Sequence, residues 1–233
     1  MKHSLPRILL IYKISTYEYY FSSPRRDTAN RKLINVSRFR KTHLKHYRTL
    51  AAVEAFLEER KVPYQRSPRG RILDFSRYDV VVTVGGDGTF LEAARHCARQ
   101  KILGINSDPQ WSVGRFCVAN DKTFSRILET IINGTSKVSL VNRLKFQIKG
   151  SKESVNILND VLVSHSNPAA MSRYLLKVNQ RKEEQRSSGV WISTAAGSTG
   201  AICSAGGKAF RPQGVFQPLR SGLGEARKVE ILQ

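Results

Sequence analysis

The chain has little cysteine and little acid. Cys97, Cys117 and Cys203 are an odd number, far apart and without CxxC spacing, so neither a disulfide framework nor a zinc site is indicated. A reducing cytoplasm fits that usage. Asp and Glu number 18 against 39 Lys and Arg, a formal charge of +21. Such a field attracts polyanions, whether nucleic acid, membrane surface or nucleotide. The excess is nevertheless spread over residues 25–69, 173–186 and the C-terminal end, with no basic zipper, zinc-finger spacing or RNA-binding aromatic motif. It reads as a solvated surface that favours an anionic substrate, and a nucleic-acid reader is disfavoured. No run approaches the ~20 apolar residues of a membrane span. The basic start precedes only five apolar residues (ILLIY) and no small-residue cleavage site follows, which marks a first strand and not a signal peptide. Repeats and low-complexity tracts are absent too.

What is present is the makeup of a folded soluble protein, 40% hydrophobic and 9% aromatic over 233 residues, enough for one large domain or two small ones. Residues 7–13 (RILLIYK) predict a buried strand, and a polar, basic loop follows. Across residues 42–61, Leu44, Tyr47, Leu50, Val53, Phe56 and Leu57 recur at helical spacing. Residues 78–84 (YDVVVTV) predict a second buried strand, 90–96 a helix, 101–106 (KILGIN) a strand and 122–133 a helix stopped by Asn133-Gly134. This alternation predicts an α/β fold, a Rossmann-like doubly wound parallel sheet with its ligand crevice at the carboxyl ends of the strands. Asp87 and Asn106 fall there. After Gly134, residues 139–149, 155–165, 172–178 and 189–194 are strand-like runs between polar turns, so a mostly β C-terminal domain is expected. The boundary is placed at 137, giving domains 1–137 and 138–233.

Gly85-Gly86-Asp87-Gly88-Thr89 is the most informative segment. Strand, glycine turn and helix aim backbone N–H groups and a helix N-terminus at an anion, and phosphate is the natural occupant. A Walker loop needs Lys-Ser/Thr after its last glycine, where this chain has Thr89-Phe90. The dinucleotide fingerprint needs a third glycine where Leu91 stands. Both patterns fail. An acid at the centre of such a loop either holds a metal or takes a proton. The plainer reading is a tight turn with a helix-capping Asp, disfavoured by bare backbone on both sides.

Two further polar clusters interrupt apolar sequence. Asn159-Asp160 sits between VNIL and VLV, where neighbouring residues of one strand would face opposite ways; a bulge or edge position is the alternative. Residues 193–200 (STAAGSTG), continuing AICSAGG, combine small hydroxyls and glycines that let a flat ligand approach the backbone. Ala and Cys in this stretch argue for a packed loop.

Taken together and in this order, GGDGT, Asn-Asp and the threonine- and glycine-rich segment from Thr194 to Thr199 resemble the signatures of the NAD kinase family, over about residues 78–210. The GGDG element alone is shared with diacylglycerol and sphingoid-base kinases and phosphofructokinases; the other two separate the families. Within the family, residues 103–109 (LGINSDP), 167–173 (NPAAMSR) and 186–189 (RSSG) look most like the plant NADH kinase and animal mitochondrial branch, whose members accept NADH as well as NAD. Ala201 stands where bacterial members carry an adenine-stacking tyrosine, and Ser188 where many carry an acid.

The resemblance implies transfer of the γ-phosphoryl group of ATP to the 2′-hydroxyl of the adenosine ribose of NAD or NADH. It implies Asp87 as the base that takes the hydroxyl proton, and Gly86, Gly88 and Thr89 as the phosphate loop. A divalent ion, magnesium, would neutralise the phosphates, with no side chain assigned as its direct ligand. Asn159 would bind ribose hydroxyls and Asp160 would support the adenosine pocket. Thr199 and Ser204 would bind adenine nitrogens, and Asn106, Thr194, Ser198 and Arg186 complete the implied binding set, with Arg173 a weaker candidate. A homo-oligomer is implied as well. Family members continue through further strands after the GST segment, whereas the end of this chain, ARKVEILQ, looks shortened and unlike theirs. The alternatives are a GGDG-loop lipid kinase and a truncated, inactive protein that binds nucleotide or nucleic acid.

Overall fold

A computed structural model describes residues 4–21, 36–206 and 228–232. The chain divides into two compact units, Met1–Val141 with Lys228–Gln233, and Asn142–Arg227. The basic stretch 22–35 and the Gly- and Pro-rich stretch 207–227 lie outside the described residues.

The first unit is built on strands β1 (Ile8–Tyr12), β2 (Tyr64–Pro68), β3 (Val80–Gly85), β4 (Lys101–Asn106), β5 (Ala119–Asn120) and β6 (Val138–Asn142), with a C-terminal strand, Lys228–Leu232. Their order is β2-β1-β3-β4-C-terminal strand-β6, with β5 also beside β4. The pairs β1/β2, β1/β3, β3/β4, β4/β5 and β4/C-terminal strand are all parallel. All six residues of β3 are buried, as a β-branched run between two neighbours and under helices requires. The last strand comes from the stretch expected in the second domain; its neighbours β4 and β6 both lie more than eighty residues earlier, so nothing local announces it.

Helices α1 (Thr16–Phe21), α2 (Val36–Glu59), α3 (Asp87–His96) and α4 (Phe124–Ile132) complete the unit. α2 starts earlier than its apolar spacing predicted. It buries His46, Thr49, Leu50, Val53 and Leu57, whereas Leu44 is exposed. The buried face is thus the one the apolar residues suggested, with Tyr47 and Phe56 partly buried at its margin and Leu44 off it. Leu50, Val53 and Leu57 meet Val80, Val82, Val84, Leu103 and Ile105 of the sheet and Phe124, Leu128 and Ile131 of α4 in one core. Phe56 and Phe124 meet edge to face, with ring centroids 6.1 Å apart. α4 ends as the Asn-Gly pair predicted: Gly134 takes φ +69° and Thr135 donates back to the Thr130 carbonyl at 2.9 Å.

The second unit holds antiparallel two-stranded sheets: β7 (Leu144–Gln147) with β8 (Ser154–Ile157), β9 (Asp160–Val163) with β12 (Val190–Ser193), and β10 (Ser172–Val178) with β11 (Arg181–Ser187). The run 155–165 is therefore two strands, broken at Leu158-Asn159, and the opposite-faces expectation for Asn159 and Asp160 does not apply across the break. β11 (RKEEQRS) had no apolar alternation to announce it. It is exposed along most of its length and owes its place to the hairpin at Asn179, φ +55°. Residues Ala196–Thr199 form a 3₁₀ turn that buries Gly197 and Ser198, as a packed loop requires, whereas α5 (Ala201–Ser204) is a single helical turn with no buried residue and an exposed Cys203.

Candidate functional site

β3 delivers the chain to Gly85, and Gly86, in extended conformation, caps α3 with Asp87 as the first helical residue. Thr89 and Phe90 fold back to the Gly86 carbonyl at 3.0 and 3.3 Å. The first amides of a helix have no partner within it, so this turn presents donors. The glycines are required by contact: a Cβ on Gly85 would lie 2.5 Å from the Thr89 hydroxyl and one on Gly86 2.5 Å from the Ser112 hydroxyl. Thr89 itself is buried, and its hydroxyl has no hydrogen-bond partner among the described residues.

Among the described residues, Asp87 is held by backbone amides. One carboxylate oxygen accepts from the Arg115 amide at 2.9 Å and the other from the Phe116 amide at 2.8 Å. Each oxygen keeps a second lone pair, so the carboxylate is oriented without being used up. Its charge is felt nearby: burial, then Asp87, pushes the Cys117 thiol up to about 12. Asn106 shapes the gripping segment, donating to the Ser112 carbonyl at 2.9 Å and accepting from the Asp108 amide at 3.0 Å. Gly114, at φ +60°, lets that segment close over Asn106, since a Cβ there would sit 2.2 Å from the amide nitrogen. Gly104 allows the same segment to cross β4, a Cβ there standing 2.9 Å from the Phe116 carbonyl and the Cys117 Cα.

Cations lie close by. An Arg69 nitrogen would stand 3.4 Å from a Cβ on Gly88, and Lys45 lies 3.5 Å from buried Asp108. Lys13, directly after β1, has its pKa lowered by burial and by Arg69, against the pull of Asp108. Sequence reading singled out neither Lys13 nor Arg69, nor Ser112 and the Arg115 and Phe116 amides. A lysine directly after a buried strand was a usable signal; backbone donors leave none.

In the second unit the Asn-Asp pair and the small-residue segment come together. Asn159 sits in the break before β9, its side chain donating to Asp160 at 2.9 Å, and Asp160 pairs with Ser193 across β9 and β12. Thr194 donates from its backbone to the Asn159 carbonyl and from its hydroxyl to the Leu158 carbonyl, and receives the Gly197 amide at 2.9 Å. That buried hydroxyl thus both donates and accepts within the protein. A Cβ on Gly197 would lie 2.1 Å from the Asn159 carbonyl oxygen, and one on Gly200 2.9 Å from the Asn159 amide nitrogen. Burial raises the Asp160 pKa, opposed by a hydrogen bond from the Ala201 amide. Ser198 is buried and bonds the Ala195 carbonyl at 2.8 Å, Thr199 is half-buried, and exposed Ser204 reaches the Gly200 carbonyl at 3.5 Å. Arg186 is not part of this cluster; it is exposed on the β10–β11 hairpin, directly opposite Arg173. Like charges in register cost stability unless an anion lies between them.

Among the described residues no group of three or more His, Cys, Asp or Glu could hold a metal ion, and no helix is long and apolar enough to cross a membrane.

Residues 28–136 match the model of the ATP-NAD kinase N-terminal domain. A probable NADH kinase of Oryza sativa is 35% identical over 151 residues, covering 55% of this chain and 46% of that one. An NAD kinase of Methanopyrus kandleri is 32% identical over 174 residues, covering 70% and 60%. The chain thus spans about half the length of these relatives. By fold it is similar to an NAD kinase from Archaeoglobus fulgidus solved with ATP, at TM-score 0.62, 22% identity and coverage of 96% and 76%. It is also similar to yeast NADH kinase solved with NADH, at TM-score 0.63, 17% identity and coverage of 91% and 61%.

Proposed function

The chain belongs to the NAD kinase family, and we propose that it transfers the γ-phosphoryl group of ATP to the 2′-hydroxyl of the adenosine ribose of NAD or NADH. The observation that carries this reading is Asp87, oriented at the phosphate turn by the Arg115 and Phe116 amides with a lone pair free on each oxygen. Asp87 takes the hydroxyl proton, the ribose oxygen bonds to the γ-phosphorus, and ADP leaves with the electrons of the broken bond. The amides at Gly86 and Gly88, with Arg69 beside Gly88, hold the polyphosphate. Asn159 and Asp160 bind the adenosine ribose and support its pocket, Ser198, Thr199 and Ser204 contact the base, and Arg186 with Arg173 meets a pyrophosphate. Thr89, Asn106 and Thr194 serve this set by shaping the backbone that carries it.

Magnesium is the cofactor in this reading. Asp87, the carboxylate of the turn, already holds two amides, which suits an ion bound through nucleotide phosphates and water better than a protein cage. When bound, it neutralises charge on the transferring phosphoryl group. The second unit, Asn142–Arg227, is the dinucleotide-binding part; a homo-oligomer and a cytoplasmic setting belong to the same reading.

The test is turnover of ATP with magnesium and, separately, NAD, NADH, diacylglycerol and a sphingoid base. Phosphorylated dinucleotide alone is the expected product. Phosphorylated lipid, or salt-sensitive nucleic-acid binding with no turnover, would replace this reading with one of the alternatives.

A further inference from the structure

The glycine turn leaves β3, whose neighbours in the sheet are β1 and β4. A buried side chain from α2, that of His46, reaches the chain ends on both sides of it. Its Nε2 lies 2.9 Å from the carbonyl oxygen of Lys13, just past β1, and its Nδ1 lies 2.9 Å from the hydroxyl of Ser107, just past β4. A carbonyl can only accept, so Nε2 carries the hydrogen. In a neutral ring Nδ1 then has the lone pair and accepts from the Ser107 hydroxyl. The tautomer is fixed by its partners.

Both bridged residues are already bound to β3. The Lys13 amide donates to the Val84 carbonyl at 3.3 Å and the Ser107 amide to the Gly85 carbonyl at 2.9 Å. From Ser107 the chain runs through Asp108, whose carbonyl accepts the Trp111 and Ser112 amides at 3.1 and 3.0 Å. It passes the Ser112 hydroxyl packed on Gly86 and reaches the Arg115 and Phe116 amides that orient Asp87. We propose that His46 is the positioning residue that sets the 107–116 segment, and through it the Asp87 carboxylate, against the glycine turn. The inference rests on the reading of Asp87 as the base.

The surroundings keep the ring neutral. Burial first, then the charge of Lys13, lowers its pKa to about 4, and His43 on the same helix acts in the same direction. Tyr47 meets the ring edge to face at 5.0 Å. Asp108 next to Ser107 is paired with Lys45 at 3.5 Å. In the neutral ring Nδ1 accepts from the Ser107 hydroxyl; protonation would make Nδ1 a second donor and reverse that bond, at the cost of a buried charge beside Lys13.

The test compares the full chain with His46→Leu, His46→Gln and Ser107→Ala. Amide exchange is read at Arg115 and Phe116 and, as an internal control, at Leu9 and Leu10 in β1. His46→Leu and Ser107→Ala should speed exchange at Arg115 and Phe116 by about tenfold, the scale of one lost hydrogen bond, and leave the β1 amides unchanged. His46→Gln, which keeps one donor and one acceptor, should restore protection. In turnover the first two variants should lose kcat with little change in dinucleotide KM. Equal acceleration in β1 and in the segment, or none in either, overturns the proposal. If the unaltered chain phosphorylates no dinucleotide, the functional reading fails while exchange still decides whether His46 sets the segment. Should His46→Leu fail to fold, Ser107→Ala makes the same cut with little loss of volume.

Discussion

The glycine turn and the Asn159 cluster use the same materials, small hydroxyls, glycines and one prominent acid each, yet they are held in different ways. Asp87 stands just past a strand buried along its whole length, where the Asn106 side chain bonds to the Ser112 carbonyl and the Asp108 amide, His46 bonds to the Lys13 carbonyl and the Ser107 hydroxyl, and the Ser112 hydroxyl packs on Gly86. Asn159 and Asp160 stand on a two-stranded sheet whose Leu162, Val163 and Ile192 are exposed. Their geometry comes from backbone pressed into gaps left by missing side chains, as at Gly197 and Gly200. A site resting on a core confines the loss of one contact to its own neighbourhood, because packing carries the rest of the unit. A site resting on glycine gaps depends on every gap. Trp111 and Trp191 fall one in each unit, so their fluorescence follows the two separately once the other is replaced by Phe.

The contrast is sharpest at Gly197. Gly197→Ala would drive a methyl into the Asn159 carbonyl, 2.1 Å away, and backbone cannot yield as a flexible side chain can. We expect a loss of about 3 kcal/mol or more from the second unit, read as an earlier urea midpoint at Trp191, with Trp111 unmoved. A matching shift at Trp111 would show that the two sites are not held independently.

Acid should reverse the bias. His46 is held near 4 in the folded chain, against its ordinary 6.5 when unfolded, so below 6.5 the unfolded chain binds the extra proton. The first unit therefore has its full stability above 6.5 and loses it progressively as the pH falls towards 4, by roughly 3 kcal/mol in all. His46→Gln should flatten that part of the profile at Trp111. An unchanged slope would remove His46 from the account.

Smaller effects refine the picture. Thr194→Val keeps the shape and strands the Leu158 carbonyl and the Gly197 amide, which should cost the second unit about 2 kcal/mol. Gly134→Ala, at φ +69° with nothing within 4 Å of its Cβ, adds strain without a clash and should cost the first unit about 1 kcal/mol. If it costs as much as Gly197→Ala, close contact is not what distinguishes the two regions.

The same contrast explains what could be read from sequence. β3, its glycine turn and α4 were legible because their signals are local: a β-branched run, bare backbone around an acid, and an Asn-Gly stop. β11 was not, since RKEEQRS has no buried face, and the C-terminal strand was not, since its partners are distant in the chain. Asp87 was legible as an acid among glycines, but the amides of Arg115 and Phe116 that aim it have no side-chain signature. His46 had one that went unused: it lies on the stripe continued by Leu50, Val53 and Leu57, an imidazole where an apolar residue belongs. The resemblance to NAD kinases covered residues that these local signals could not connect.

The account stands most directly on Asp87. Turnover of NADH by ATP and magnesium, measured for the full chain and for Asp87→Asn at matched folding, should fall by about 10²-fold to 10⁴-fold in kcat, the range for a lost general base. An Asp87→Asn protein that remains folded and keeps its rate would contradict the account, whatever dinucleotide it phosphorylates.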